Sequence, residues 1–168
     1  MLKLLGAVMI VSASTLMGIS VQRKLCDRVR ILQELISFLQ ELKAEIVFRA
    51  APIMDILTKF AGKERCFTAT YFKRVCSNLE LFGLQSAAEY ALDELKKLPL
   101  TEGDLQEIYR IFNAIGRYDV LTQAEALTRS LAMMEYQLAD AKEQLEQKGK
   151  IYRAVGFSCG LAFALIMI

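Results

Sequence analysis

The chain has 168 residues, 54% of them apolar, and its 21 Lys and Arg against 19 Asp and Glu leave a net charge of +2. That is room for one domain and two short anchors. There is no histidine, which excludes His-based triads, His metal ligands and His proton shuttles.

The first element is apolar. Leu4–Val21 carries no charged residue. As a helix it spans roughly 27 Å, close to a ~30 Å hydrocarbon core, and residues 1–21 read as an N-terminal transmembrane helix. Met1-Leu2-Lys3 before an apolar run also describes a signal peptide, with Ser12-Ala13-Ser14 as a poor cleavage site.

Residues 22–153 read as an all-α domain. From Gln22 to Ala51 no breaker interrupts the pattern. Leu25, Val29, Leu32, Ile36, Leu39 and Ile46 form one stripe, and Ile31, Leu35, Phe38 and Leu42 form a second beside it. Pro52 fits the first turn of a new helix, which Gly62 stops after Ala61. A third helix carries Phe67, Tyr71, Phe72, Val75 and Leu79 and stops at Gly83. Ser86-Ala87-Ala88-Glu89 reads as a capping box opening a short helix before Pro99. Thr101 is the expected N-cap of the next helix, with Glu102 and Asp104 at its positive end and Gly116 past its last turn. That helix should bury Leu105, Ile108, Ile111 and Phe112. The last helix begins near Asp119. Its Leu127, Leu131, Met134, Leu138, Ala141 and Leu145 repeat at 4-3 spacing, as in a coiled coil.

The final run, Ala154–Ile168, is apolar on every side. It reaches a membrane-spanning length only if it starts near Ile151 and Arg153 snorkels to the interface beside Tyr152. A buried core helix is the other reading. The expected fold is thus a membrane-anchored helical bundle, all-α. Its long first and last helices pack antiparallel as a stalk, the shorter helices form a cap, and transmembrane helices stand at both termini. Arg23, Lys24, Arg28 and Arg30 follow the first span, and Lys148, Lys150 and Arg153 precede the second. The positive-inside rule then makes the central domain cytoplasmic, with both termini towards the outer face. Cys26, Cys66, Cys76 and Cys159 form no CxxC pair and read as small buried residues of a reducing compartment.

No chemistry stands out. The Gly-Lys pairs 62–63 and 149–150 lack the rest of a phosphate loop, the cysteines lack zinc spacing, and pairs such as Asp93/Glu94 and Glu143/Glu146 fit solvated helix faces. The expectation is a protein that is not an enzyme, with no catalytic residue, cofactor, metal or small-molecule substrate. Charge is segregated instead. Arg49–Cys76 holds six cations against two acids, net +4, and Ser77–Ile108 seven acids against two cations, net −5. Separate solvated faces would give that pattern. So would a cap with a basic and an acidic side, docking a partner or a second copy of itself through Lys73 and Arg74 or through Glu89 and Asp93. The basic patch is small and flanked by acids, which argues against nucleic acid.

Met1-Leu2-Lys3-Leu4-Leu5-Gly6-Ala7-Val8 resembles the opening of the stage III sporulation protein AB family of endospore-forming bacteria. Leu39-Gln40-Glu41-Leu42-Lys43-Ala44-Glu45-Ile46 resembles it too, although the family pattern leads one to expect Glu at Lys43. So does the set Ile115-Gly116, Asp119, Gln123, Gly156 and Gly160-Leu161. The resemblance implies a membrane component of the channel apparatus between mother cell and forespore. Its helical domain would be similar to the platform protein of type II secretion and type IV pilus machines. It would lie in the mother-cell membrane facing the forespore and couple a cytoplasmic secretion-type ATPase, stage III sporulation protein AA, to other channel components. A regulatory or coiled-coil anchor protein unrelated to export is the alternative.

Overall fold

The structure is a computed structural model and describes residues 2–48, 53–63, 65–115 and 120–167. Among these every regular element is helical: α1 (Leu2–Phe48), α2 (Ile53–Ala61), α3 (Ala69–Lys96), α4 (Glu102–Ala114) and α5 (Val120–Met167). The chain divides into two compact units, Arg30–Ala139 and the paired ends Met1–Val29 with Asp140–Ile168.

The middle unit is built on the two stripes of α1. Ile31, Leu32, Leu35, Ile36, Phe38, Leu39 and Leu42 are all buried, because a helix apolar on two adjacent faces must be covered on both. Phe38 is the hub. Its ring centroid lies 5.3 Å from Phe60 of α2, 4.6 Å from Phe72 of α3 and 6.0 Å from Phe112 of α4. Tyr71 closes the cluster, 5.9 Å from Phe112. Such pairs contribute about 0.5–1.5 kcal/mol beyond the area they bury. Leu127 and Met134 of α5 are fully buried, whereas Leu131 of the same seam is half-buried.

The helix boundaries have local causes. α2 ends where expected, with the Gly62 N–H donating to the Thr58 carbonyl at 2.9 Å. Pro52, Gly116 and Asp119 lie outside the described residues. At α4 the Thr101 N–H donates to Asp104 Oδ2 (2.8 Å) and the Asp104 N–H donates to Thr101 Oγ1 (3.3 Å), a reciprocal capping box. Ile108, Ile111 and Phe112 are buried as expected, but Leu105 is only half-buried, while the box leaves Asp104 fully buried.

α3 differs from the expected pair of helices in how it is joined. Gly83 adopts φ 73° and ψ 168°, a conformation open essentially to glycine alone, and helix resumes at once on its far side. Ser86 therefore lies inside the second arm and does not start it. Arg74 and Glu94, 20 residues apart, are ion-paired, and the Phe82 and Tyr90 rings stand 5.2 Å apart. The arms 69–82 and 84–96 thus fold back on each other as a hairpin about Gly83.

In the unit formed by the chain ends, α1 and α5 run antiparallel. Arg28 Nη1 donates to Asp140 Oδ2 at 3.5 Å, and Gln144 Nε2 donates to the same oxygen at 2.9 Å. Further along, a Cβ on buried Gly149 would stand 3.5 Å from Gln22 Cγ, so the helices approach closely there. Arg28, expected as a membrane-flanking surface charge, is buried in this seam. Among the described residues no helix is long and apolar enough to cross a membrane. The expected span Ala154–Ile168 falls largely on residues whose side chains lie outside the described ones, and so does the first part of Leu4–Val21. Cys26, Cys66 and Cys76 are free thiols, half-buried where full burial was expected.

Gly83 is exposed, and a methyl group added there would have nothing within 4 Å, so Gly83→Ala reports backbone conformation alone. It should cost about 1–3 kcal/mol in urea denaturation of the full chain; an unchanged midpoint would mean the hairpin turn is not held in that conformation. Tyr71 has its hydroxyl buried without a hydrogen-bond partner among the described residues, and burial pushes its phenol well above the ordinary value. The folded state holds that proton more tightly than the unfolded chain. Its contribution is therefore full below about pH 10, the unfolded value, and is lost as pH rises above it towards the folded value. Tyr71→Phe should be neutral to stabilising at pH 7 and should lessen the alkaline loss in thermal scans from about pH 9 to 11.

Candidate interaction surface

The α3 hairpin carries all four side chains that the sequence marks for partner binding. Lys73 and Arg74 lie on the first arm, Glu89 and Asp93 on the second, and all four are exposed. The fold-back at Gly83 brings the basic and acidic stretches together instead of setting them on separate sides. Arg74 pairs with Glu94, which also accepts from Lys97 Nζ at 2.8 Å. Lys96 Nζ donates to Asp93 Oδ1 at 3.0 Å, and that bond, with the Lys96, Arg74 and Lys97 charges behind it, holds the Asp93 carboxyl below its usual range. Glu94 is lowered too, chiefly by the Lys97 bond. These are exposed pairs and add little to stability. They leave the hairpin a surface of alternating sign, with Lys73 and Glu89 as charges of opposite sign on opposite arms.

Apolar side chains extend this surface at the hairpin tip. Leu81 is 75% exposed, Phe82 52% and Tyr90 59%. The sequence marks none of them, because Leu81 and Phe82 sit at the end of an amphipathic run and look like its buried continuation. Only the break at Gly83 signals that they leave the core.

The hairpin is anchored to α1 by a carboxylate that sequence reasoning missed. Glu34 Oε1 accepts from the Phe67 N–H (3.2 Å), and Oε2 accepts from the Thr68 N–H (3.1 Å) and Thr68 Oγ1 (3.0 Å). These N–H groups stand immediately before α3, at the helix end where the backbone carries partial positive charge, so a carboxylate from another helix both satisfies them and faces that charge. Thr68 itself is fully buried, and its side chain makes no cap of its own. A second bridge, Lys59 to Glu41, ties α2 to α1. Burial pushes the nearby Cys66 thiol up, with the Glu34 charge adding to it.

The chain and its fold have known relatives. Residues 3–168 match the family described as Stage III sporulation protein AB (spore_III_AB). The chain is 28% identical over 172 residues to "Stage III sporulation protein AB" of Bacillus subtilis (strain 168), covering 100% of each. It is similar in fold to a solved structure of "Stage III sporulation protein AB (SpoIIIAB)", with a TM-score of 0.66 at 22% identity over 71% of this chain and 96% of that one.

If Glu34 anchors α3, Glu34→Ala should cost about 1–2 kcal/mol, as is typical when a helix cap is lost. Glu34→Gln, which keeps an acceptor without the charge, should cost less. Hydrogen exchange resolves the mechanism: the amides of Phe67 and Thr68 should lose protection in the alanine variant well before those of Phe72 or Ile108. Uniform loss across the unit would mean Glu34 is not a local anchor.

Proposed function

Since the chain belongs to the stage III sporulation protein AB family, we propose that it is a non-enzymatic membrane platform in the channel apparatus between mother cell and forespore. A role in sporulation comes with the family. The finer reading rests on one observation above others: the match runs from residue 3 to residue 168, taking in both uncharged apolar ends as well as the helical middle.

In this reading Leu4–Val21 and Ala154–Ile168 are the anchors, the mother-cell membrane facing the forespore is the site, and the middle of the chain faces the cytoplasm. The Lys and Arg residues flanking both runs on their inner side support that orientation. The middle unit presents the α3 hairpin to a cytoplasmic secretion-type ATPase, stage III sporulation protein AA, and hands the attachment on to other channel components. What supports a docking role is the hairpin surface itself, with exposed charge of both signs beside exposed Leu81, Phe82 and Tyr90. Charges so placed do little for the fold but set the register and rate of encounter with a partner.

The test is binding of the purified ATPase to the full chain in nanodiscs at two salt concentrations. Glu89→Lys with Asp93→Lys, or Lys73→Glu with Arg74→Glu, should weaken binding by roughly threefold to tenfold at low salt while helicity is kept. The acidic pair is the cleaner variant, because reversing Arg74 also breaks its bridge to Glu94. Equal, salt-independent affinity for wild type and both variants would remove the hairpin charges as the docking face. No binding by wild type would remove the ATPase reading.

A further inference from the structure

A concave surface that includes none of the hairpin charges lies between α1 and the connector that joins α2 to α3. It is an open groove of about 390 Å³, walled by Arg30 and Glu34 of α1, Phe60 of α2, and Lys63, Arg65 and Phe67 of the connector.

Among the described residues its charge is one-sided. Glu34 is the carboxylate on the described walls, and it is already committed to three donors at the start of α3. Arg30 and Arg65 are exposed, and neither forms an ion pair with a described residue. Lys63 Nζ sits 3.6 Å from the centroid of the buried Phe60 ring, a cation–π contact between two residues that line the groove. Phe67 is 37% exposed beside them. Two guanidinium forks with no carboxylate partner among the described residues, one positioned ammonium and a half-open aromatic face make up the recognition chemistry of an acidic peptide. Each guanidinium takes a carboxylate through two parallel hydrogen bonds, and Arg clusters are a recurrent reader of acidic motifs. Three cations around a carboxylate are too few and too local for a nucleic-acid backbone.

We propose that this groove docks an acidic segment of a protein partner, two carboxylates meeting Arg30 and Arg65 while an apolar side chain covers Phe67. The site shares no residue with the docking charges of the α3 hairpin and does not depend on the ATPase reading.

The experiment places a benzoylphenylalanine photo-crosslinker at Ser37, an exposed α1 position on the groove wall, in the full chain in sporulating cells. The adduct is mapped by mass spectrometry. The expected product is a segment of another protein with net negative charge. Its yield should fall roughly tenfold or more with Arg30→Glu and Arg65→Glu, and by about threefold with the milder Arg30→Gln and Arg65→Gln. Circular dichroism of the variants, and the yield from a crosslinker at exposed Tyr136 on α5, report that the fold is kept. The glutamine pair decides if the glutamate pair does not fold. No adduct above the unirradiated control would overturn the proposal. So would an adduct to lipid, to a second copy of this chain, or to a neutral or basic segment, and so would a yield that the glutamine pair leaves unchanged.

Discussion

The ring of Phe38 is the constraint on which the middle unit depends. One side chain of α1 touches an aromatic ring from each of α2, α3 and α4, and all four rings are buried. Three shorter helices with little intrinsic stability are thereby placed by one residue of a long one. Isolated helices of the length of α2 or α4 are marginal in water, so they exist here because they have something to pack on. The same geometry explains why α1 needs two apolar stripes. One stripe would seat a single neighbour, and a hub must seat several.

A second layer of constraint is polar. Glu34 fixes where α3 begins, Asp104 fixes where α4 begins, and both are carboxylates placed against helix N-termini where the backbone carries positive charge. Asp104 acts on its own helix and Glu34 on another. Gly83 then decides where α3 reverses, and the reversal sets Arg74 against Glu94. Aromatic packing gives the unit its stability, and these local polar devices decide which surface it turns to solvent.

Much of this was legible in the sequence, and what was not has identifiable causes. The stripes of α1, the seam of α5 and the Thr101 cap are local or periodic, and local patterns can be read without a partner. The stop at Gly83 was readable for the same reason. Its consequence was not, because a glycine marks a break without saying at what angle the chain resumes, and so the basic and acidic stretches looked like two sides. Glu34 was invisible because its donors lie 33 and 34 residues away and nothing near it is unusual. Arg28 misled in the other direction. A cation after an apolar run looks like a flanking charge, and only the approach of Asp140, 112 residues later, reveals a buried guanidinium with a partner. Of the candidate surface, the charged positions were found from composition, whereas the apolar tip and the groove at the connector needed tertiary placement.

That separation of 112 residues has a consequence for how the chain ends are held together. Joining residues so far apart in a flexible chain costs about 4 kcal/mol in closure entropy, more than one ion pair at 3.5 Å returns. The bond at Arg28 therefore marks the pairing of the ends and does not by itself hold it: the close approach of α1 and α5 continues past it to Gln22 and Gly149, so the pairing rests on a length of helix and not on one contact.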